Sequence, residues 1–184
     1  MKILVTGGAG FIGSHLCESL LSLNHEVIGI DNINDYYDVD LKKNRLKILI
    51  KNKRFNFHKL DICSFEKLLQ LFKKYRFDYV VNLAAQAGVR YSIYNPDIYF
   101  NSNIKGFYNI LEVSRINKIK HLIFASTSSV YGNNTSFPLV EDGNTDMPLS
   151  FYAATKKSNE AMAYSYSNIH QLPCTGLRFF TVYG

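Results

Sequence analysis

Short apolar runs alternate along this chain with longer stretches in which apolar residues recur every three or four positions. The runs Lys2–Thr6, Glu26–Ile30, Phe55–Leu60, Tyr79–Leu83, His121–Ser126 and Thr175–Phe180 have the length and composition of strands. Between them, Ile12–Leu23 carries apolar residues at 12, 16, 20 and 23, and Leu41–Ile50, Phe65–Tyr75, Pro96–Asn117 and Ser150–His170 complete the helical set. Strands without clear alternation, separated by helices, predict a doubly wound parallel α/β sheet covered on both faces. No repeat, low-complexity tract or linker interrupts the pattern, so residues 1–184 read as one domain. In such sheets ligands bind beyond the carboxyl ends of the strands, which is where chemistry is to be sought.

Composition alters this picture little. A hydrophobic content of 47% suits a packed core, and a chain of 184 residues is long enough to build one. Cys17, Cys63 and Cys174 are scattered and odd in number, which argues for a reducing compartment rather than disulfides or zinc. The histidines show no ligand spacing, so no metal is expected. Neither a signal peptide nor a long apolar span is visible, and a cytoplasmic protein without membrane contact is the expectation. Charge needs more weighing. Between Leu41 and Leu60 stand eight Lys or Arg and no acid. That cluster reads as a solvated helix face in preference to a nucleic-acid surface, and it would also draw in a phosphorylated small molecule.

The first strand runs straight into "VTGGAGFIGSH", with Gly7, Gly10 and Gly13 spaced G-x-x-G-x-x-G. A dinucleotide needs such glycines for a tight turn, for close backbone approach to its pyrophosphate, and for helix-on-strand packing. Asp31, 18 residues past Gly13, ends the second strand. A carboxylate there accepts from a ribose diol and repels a 2′-phosphate, which favours NAD over NADP. "LDI" at 60–62 and "LAAQAG" at 83–88 follow strands on the same edge, where the small Ala84 and Ala85 admit a ring or ribose.

Chemistry gathers after the fifth strand. Thr127, Ser128 and Ser129 present three successive hydroxyls, more than a local turn requires. Tyr152 and Lys156 stand four apart, on one face of the helix that begins near the same edge. A tyrosine is far too weakly acidic to act as a base unaided, its pKa being about 10. A neighbouring ammonium is expected to favour the phenolate. Arg90 in "AGVRYS" is either a grip for a substrate carboxylate or phosphate, or a plain surface arginine.

TGGAGFIG, Asp31, LDI, LAAQAG, STSSVYG and Y-x-x-x-K, in this order, resemble the extended short-chain dehydrogenase/reductases, and among them the NAD-dependent nucleotide-sugar epimerase/dehydratase group. "DNINDYYDVDLKKNRL", "NLAAQAGVRYSIYNP" and "LRFFTVYG" resemble the UDP-glucuronate 4-epimerase branch most closely. The resemblance implies a Rossmann fold, NAD, a UDP-sugar and a homodimer in the full-length form. It implies Tyr152 as general base, Lys156 as its partner on the nicotinamide ribose, and Thr127 on the reacting sugar hydroxyl. Phe11, Ile12, Asp31, Asn32, Asp61, Ile62, Leu83, Ala84, Ala85, Ser102 and Phe180 would contact NAD. Ser128, Ser129, Thr181 and Arg90 would face the sugar nucleotide.

Sugar 4,6-dehydratases carry Asp-Glu where this chain has Ser128-Ser129, and two serines do not readily eliminate water, so epimerisation is favoured. A dehydratase, a single-step dehydrogenase and a chain that binds NAD without turnover stay open. Members of the group continue past "TVYG" into a smaller substrate-binding region, so this chain is expected to be the amino-terminal portion without it.

Overall fold

The computed structural model describes residues 1–134 and 137–184. Its strands are β1 (Lys2–Thr6), β2 (Glu26–Asp31), β3 (Phe55–Lys59), β4 (Tyr79–Asn82), β5 (His121–Thr127) and β6 (Cys174–Phe179). They form one sheet in the order β3-β2-β1-β4-β5-β6, every neighbouring pair parallel. The helices are α1 (Phe11–Ser22), α2 (Val39–Leu49), α3 (Phe65–Tyr75), α4 (Tyr91–Tyr94), α5 (Pro96–Tyr99), α6 (Gly106–Ile116) and α7 (Phe151–His170). The doubly wound Rossmann arrangement expected from the alternation is the one observed.

Successive side chains of a strand point to opposite faces, so neighbouring residues of β1 feed different cores. Leu4, with Ile28, Ile30 and Val80, packs among Leu68, Phe72, Phe107 and Ile110 on one face. Ile3 and Val5, with Val27 and Val81, pack among Cys17, Leu21 and Leu49 on the other. Each such side chain, fully buried, contributes roughly 1.5–3 kcal/mol. The sheet centre is therefore the most deeply buried part of the molecule. By contrast, residues 175–177 of β6 are exposed.

Element ends follow local chemistry. Ser150 caps α7 by accepting the Ala153 N–H at 3.1 Å, and Asp38 caps α2 by accepting the Asp40 N–H at 2.8 Å. The stretch expected as one helix, 96–117, is interrupted. Between α5 and α6 lies a π-helical segment, Phe100–Lys105, a widened form that recurs at functional sites. The four-residue α4 precedes it, too short for periodicity to reveal.

Strand order reverses between β1 and β4, which opens a crevice beyond their carboxyl ends. Thr6 ties the two strands together there. Its hydroxyl donates to Asn82 Oδ1 at 2.7 Å and accepts the Ala84 N–H at 3.0 Å.

Candidate cofactor site and active site

Gly7 adopts a left-handed φ of 69°, and its amide-flanking turn closes with the Gly10 N–H on the Gly7 carbonyl at 2.9 Å. A Cβ on Gly13 would lie 2.1 Å from that same carbonyl oxygen, so only glycine lets α1 start this close to β1. Gly7 and Gly10 line a cavity of about 280 Å³ together with Asp31, Asn32, Asp61, Ile62, Leu83, Ala84, Ala85 and Ser102. Phe11, Ile12 and Gly13 line an adjoining cavity that shares Gly7, Gly10 and Leu83 and reaches Ala125. Most of the expected cofactor residues thus converge on one crevice, whereas Tyr152, Lys156 and Phe180 line neither cavity. Phe180 is 60% exposed and lines a groove between β6 and α7 instead.

At the far end of the crevice, Asp31 is the last residue of β2 and is buried. Its Oδ1 accepts the Ile33 N–H at 2.8 Å, holding β-branched Ile33 at a left-handed φ of 53°. Asp61 accepts from Asn32 Nδ2 at 2.9 Å and from the Cys63 N–H at 2.8 Å. Burial alone would push the Asp61 carboxyl up, but these hydrogen bonds outweigh it and hold the group below its usual value. The basic stretch is not uniformly solvated, contrary to expectation. Lys42 is buried, its ammonium 2.9 Å from Asn34 Oδ1 and 3.5 Å from Asp31 Oδ1, because α2 turns this position inward to the crevice.

The β4 loop is pinned from two sides. Buried Asn103, in the π segment, accepts the Gln86 N–H at 2.8 Å and donates to the Gln86 carbonyl at 3.0 Å and to Thr155 Oγ1 at 3.1 Å. Asn159 closes the set by donating to the Asn103 carbonyl at 2.7 Å. From the opposite side, the Tyr36 hydroxyl crosses the crevice to the Ala87 carbonyl at 3.0 Å.

At the chemical end, Tyr152 and Lys156 occupy successive turns of α7. The Tyr152 N–H donates to Ser92 Oγ at 3.2 Å, and its ring meets that of Tyr99 edge-on at 6.0 Å. Burial pushes the Tyr152 phenol above its ordinary value, a hydrogen bond with Thr127 pulling it the other way. The expected lowering by Lys156 is therefore corrected. That ammonium is buried, donates to the Ala125 carbonyl at 2.9 Å, and is itself pushed down to about 8 by desolvation. Thr127 also serves its own turn, accepting the Ser129 N–H at 3.2 Å, with Ser128 and Ser129 half-buried beside it. One more turn of α7 brings Glu160, gripped by both arms of Arg178 at 2.9 and 3.0 Å and by Ser126 Oγ at 2.6 Å. Arg90 is exposed immediately before α4, two residues from Ser92, and Thr181 is exposed beyond β6.

A sequence model of the NAD dependent epimerase/dehydratase family matches residues 3–184. This chain belongs to that family. It is 59% identical over 184 residues to Protein CapI of Staphylococcus aureus, covering 100% of this chain and 55% of that one. It is 50% identical over 185 residues to UDP-glucuronate 4-epimerase 4 of Arabidopsis thaliana, covering all of this chain and 42% of that protein. Its fold superposes with a TM-score of 0.93 on the UDP-glucuronic acid 4-epimerase of Bacillus cereus, solved with UDP-glucuronic acid and NAD. The two are 41% identical, with 100% of this chain and 58% of that one covered. The chain spans about half the length of the curated relatives it matches.

NAD is the cofactor of this family, and the crevice fits it on two counts. Gly7 and Gly10 bring bare backbone to the cavity wall, and Gln86 Nε2, buried on that wall, has no hydrogen-bond partner among the described residues. Sequence reasoning missed Lys42, Gln86, Asn103 and Tyr36. Lys42 lay hidden inside a charge run. Gln86 lay within a quoted motif, and only the orphaned amide distinguishes it from its neighbours. Asn103 and Tyr36 act through partners 17 and 51 residues away, which no local pattern signals.

Proposed function

We propose that this chain is the cofactor-binding and catalytic portion of a nucleotide-sugar 4-epimerase, an isomerase that interconverts UDP-glucuronate and UDP-galacturonate. The observation that carries the reading is the convergence of Thr127, Tyr152 and Lys156, from β5 and α7, beside the crevice that suits NAD.

Tyr152, as phenolate, takes the proton of the sugar 4-hydroxyl and leaves a 4-keto sugar, then returns the proton after the ring has turned over in the site. Bound NAD supplies the hydride acceptor, and afterwards the donor, at C4. A hydrogen bond with Thr127 opposes the effect of burial on the Tyr152 phenol and so favours the base form. Lys156 is held at fixed depth by the Ala125 carbonyl and supplies a cation under the crevice floor. Ser128 and Ser129 hydrogen-bond the sugar. Neither offers the acid and base that a 4,6-dehydratase requires. Arg90, with no ion pair among the described residues, is free to grip a phosphate or carboxylate. Exposed Tyr94, Ile98, Phe100, Tyr108 and Tyr164 would supply the faces of a homodimer.

The test is incubation of the purified protein with NAD and UDP-glucuronate, followed by NMR. UDP-galacturonate that forms, and fails to form in Tyr152→Phe, supports the proposal. A 4-keto-6-deoxy product or accumulating NADH would replace it with a dehydratase or a dehydrogenase. NAD binding without any product would mark a cofactor portion that does not turn over by itself.

A further inference from the structure

We infer that Lys42 is a second reader of the adenosine ribose beside Asp31, and that its ammonium forms a phosphate-attracting group which the Asp31 carboxylate masks. The inference rests on the crevice being the NAD site.

Lysine is rarely buried unless paired, and Lys42 and Asp31 are buried together, with side chains only 5% and 8% exposed. Their pairing is incomplete. An ammonium has three donors, and Lys42 spends one on Asn34 Oδ1 at 2.9 Å. The 3.5 Å to Asp31 Oδ1 is an ion-pair distance, too long for a good hydrogen bond. The Tyr37 ring, with its centroid 4.8 Å away, adds attraction for the cation but accepts no conventional hydrogen bond. Asp31 is likewise half used. Oδ1 takes the Ile33 N–H and faces the ammonium, while neither contact engages Oδ2.

Both side chains line the same cavity, with the Lys42 ammonium 3.5 Å from Asp31 Oδ1. A vicinal diol is the ligand chemistry that fits. Each hydroxyl both donates and accepts, so a carboxylate and an ammonium side by side serve it better than either alone. A phosphate ester at the 2′ position meets the same two groups differently. It is repelled by Asp31 and attracted by Lys42, so selectivity here is a difference between two opposed charges, not the lack of a cation. Neutralising Asp31 should unmask a phosphate site that is already built.

The experiment is fluorescence titration of NADH and NADPH into the purified protein, its Lys42→Met and Asp31→Asn variants, and the double variant. Asn at position 31 keeps an acceptor for the Ile33 N–H while losing the charge. Lys42→Met is expected to weaken NADH binding roughly tenfold, the loss of one charge-assisted hydrogen bond. Asp31→Asn is expected to tighten NADPH binding at least about tenfold, in a salt-sensitive way, and the double variant to lose that gain. The double variant removes both charges together, so its comparison with Asp31→Asn decides the matter even where Lys42→Met alone fails to fold. An NADPH gain that survives in the double variant, or NADH binding untouched by Lys42→Met, overturns the inference while leaving the NAD site intact. A wild-type protein that binds neither dinucleotide overturns the cofactor reading and this inference with it.

Discussion

The two ends of the crevice are built to different degrees. At the adenosine end, glycine backbone, Asp31, Asp61 and the Asn103-pinned β4 loop form walls held by hydrogen bonds within the chain, while Gln86 Nε2 and part of the Asp31 and Lys42 head groups stay unspent. At the chemical end one wall is equally firm, with Lys156 and Thr127 buried. The opposite side, residues 180–184 beyond β6, is exposed. In the proposed reaction the cofactor is regenerated each cycle, so its contacts with this end need not be undone. Turning a sugar over between two hydride transfers, as that proposed reaction demands, requires room and the exclusion of water.

Substitutions can break this contrast from either side. The largest effect is expected from Tyr152→Phe. If Tyr152 is the acid–base group of the proposed reaction, its removal should lower UDP-glucuronate conversion roughly 10²–10⁴-fold, with NADH affinity changed less than about threefold. Equal losses in both would mean the two ends are not separable.

Lys156 comes next. Burial displaces its pKa from 10.5 to about 8, so the folded chain binds this proton less tightly than the unfolded chain. The resulting penalty is complete below pH 8 and gone above pH 10.5. Stability should therefore rise across that window by up to about 3 kcal/mol, and Lys156→Met should abolish the rise in urea unfolding curves. A parallel pH profile in the two proteins would argue against a buried cation.

At the adenosine end, Gly13→Ala sets a methyl against the Gly7 carbonyl, and neither backbone has a flexible end to yield. A loss of roughly 1–3 kcal/mol in stability is expected, with NADH affinity falling alongside. The smallest effect is that of Thr127→Val. Without the hydroxyl, the Tyr152 phenol should titrate higher still, visible by NMR of ring-labelled tyrosine, at a stability cost of about 1 kcal/mol.

Much of this was legible in the residues. The glycine spacing, Asp31 and the small residues after β4 declared a dinucleotide site because backbone geometry constrains which residues fit there. The Tyr152/Lys156 pair was legible by spacing, but the state of its protons was not. Whether an ammonium lowers a neighbouring phenol depends on where both point and how much water they keep, and here Lys156 bonds a carbonyl while burial governs Tyr152. Phe180 was expected at the nicotinamide, yet it lines another groove, since a residue beyond the last strand is placed by what packs over it.

Local pattern alone determined the parallel α/β architecture, the element boundaries to within a residue or two outside the segment 91–117, and the phosphate-binding turn. These follow from periodicity and from backbone sterics, which act between near neighbours. Tertiary structure decided which charges are buried. It turned Lys42 inward against Asp31, bridged the crevice with Tyr36, and bound Asn103 to Gln86 and Thr155. Burial and hydrogen-bond partnership are properties of segments brought together from far along the chain, so no window of sequence contains them.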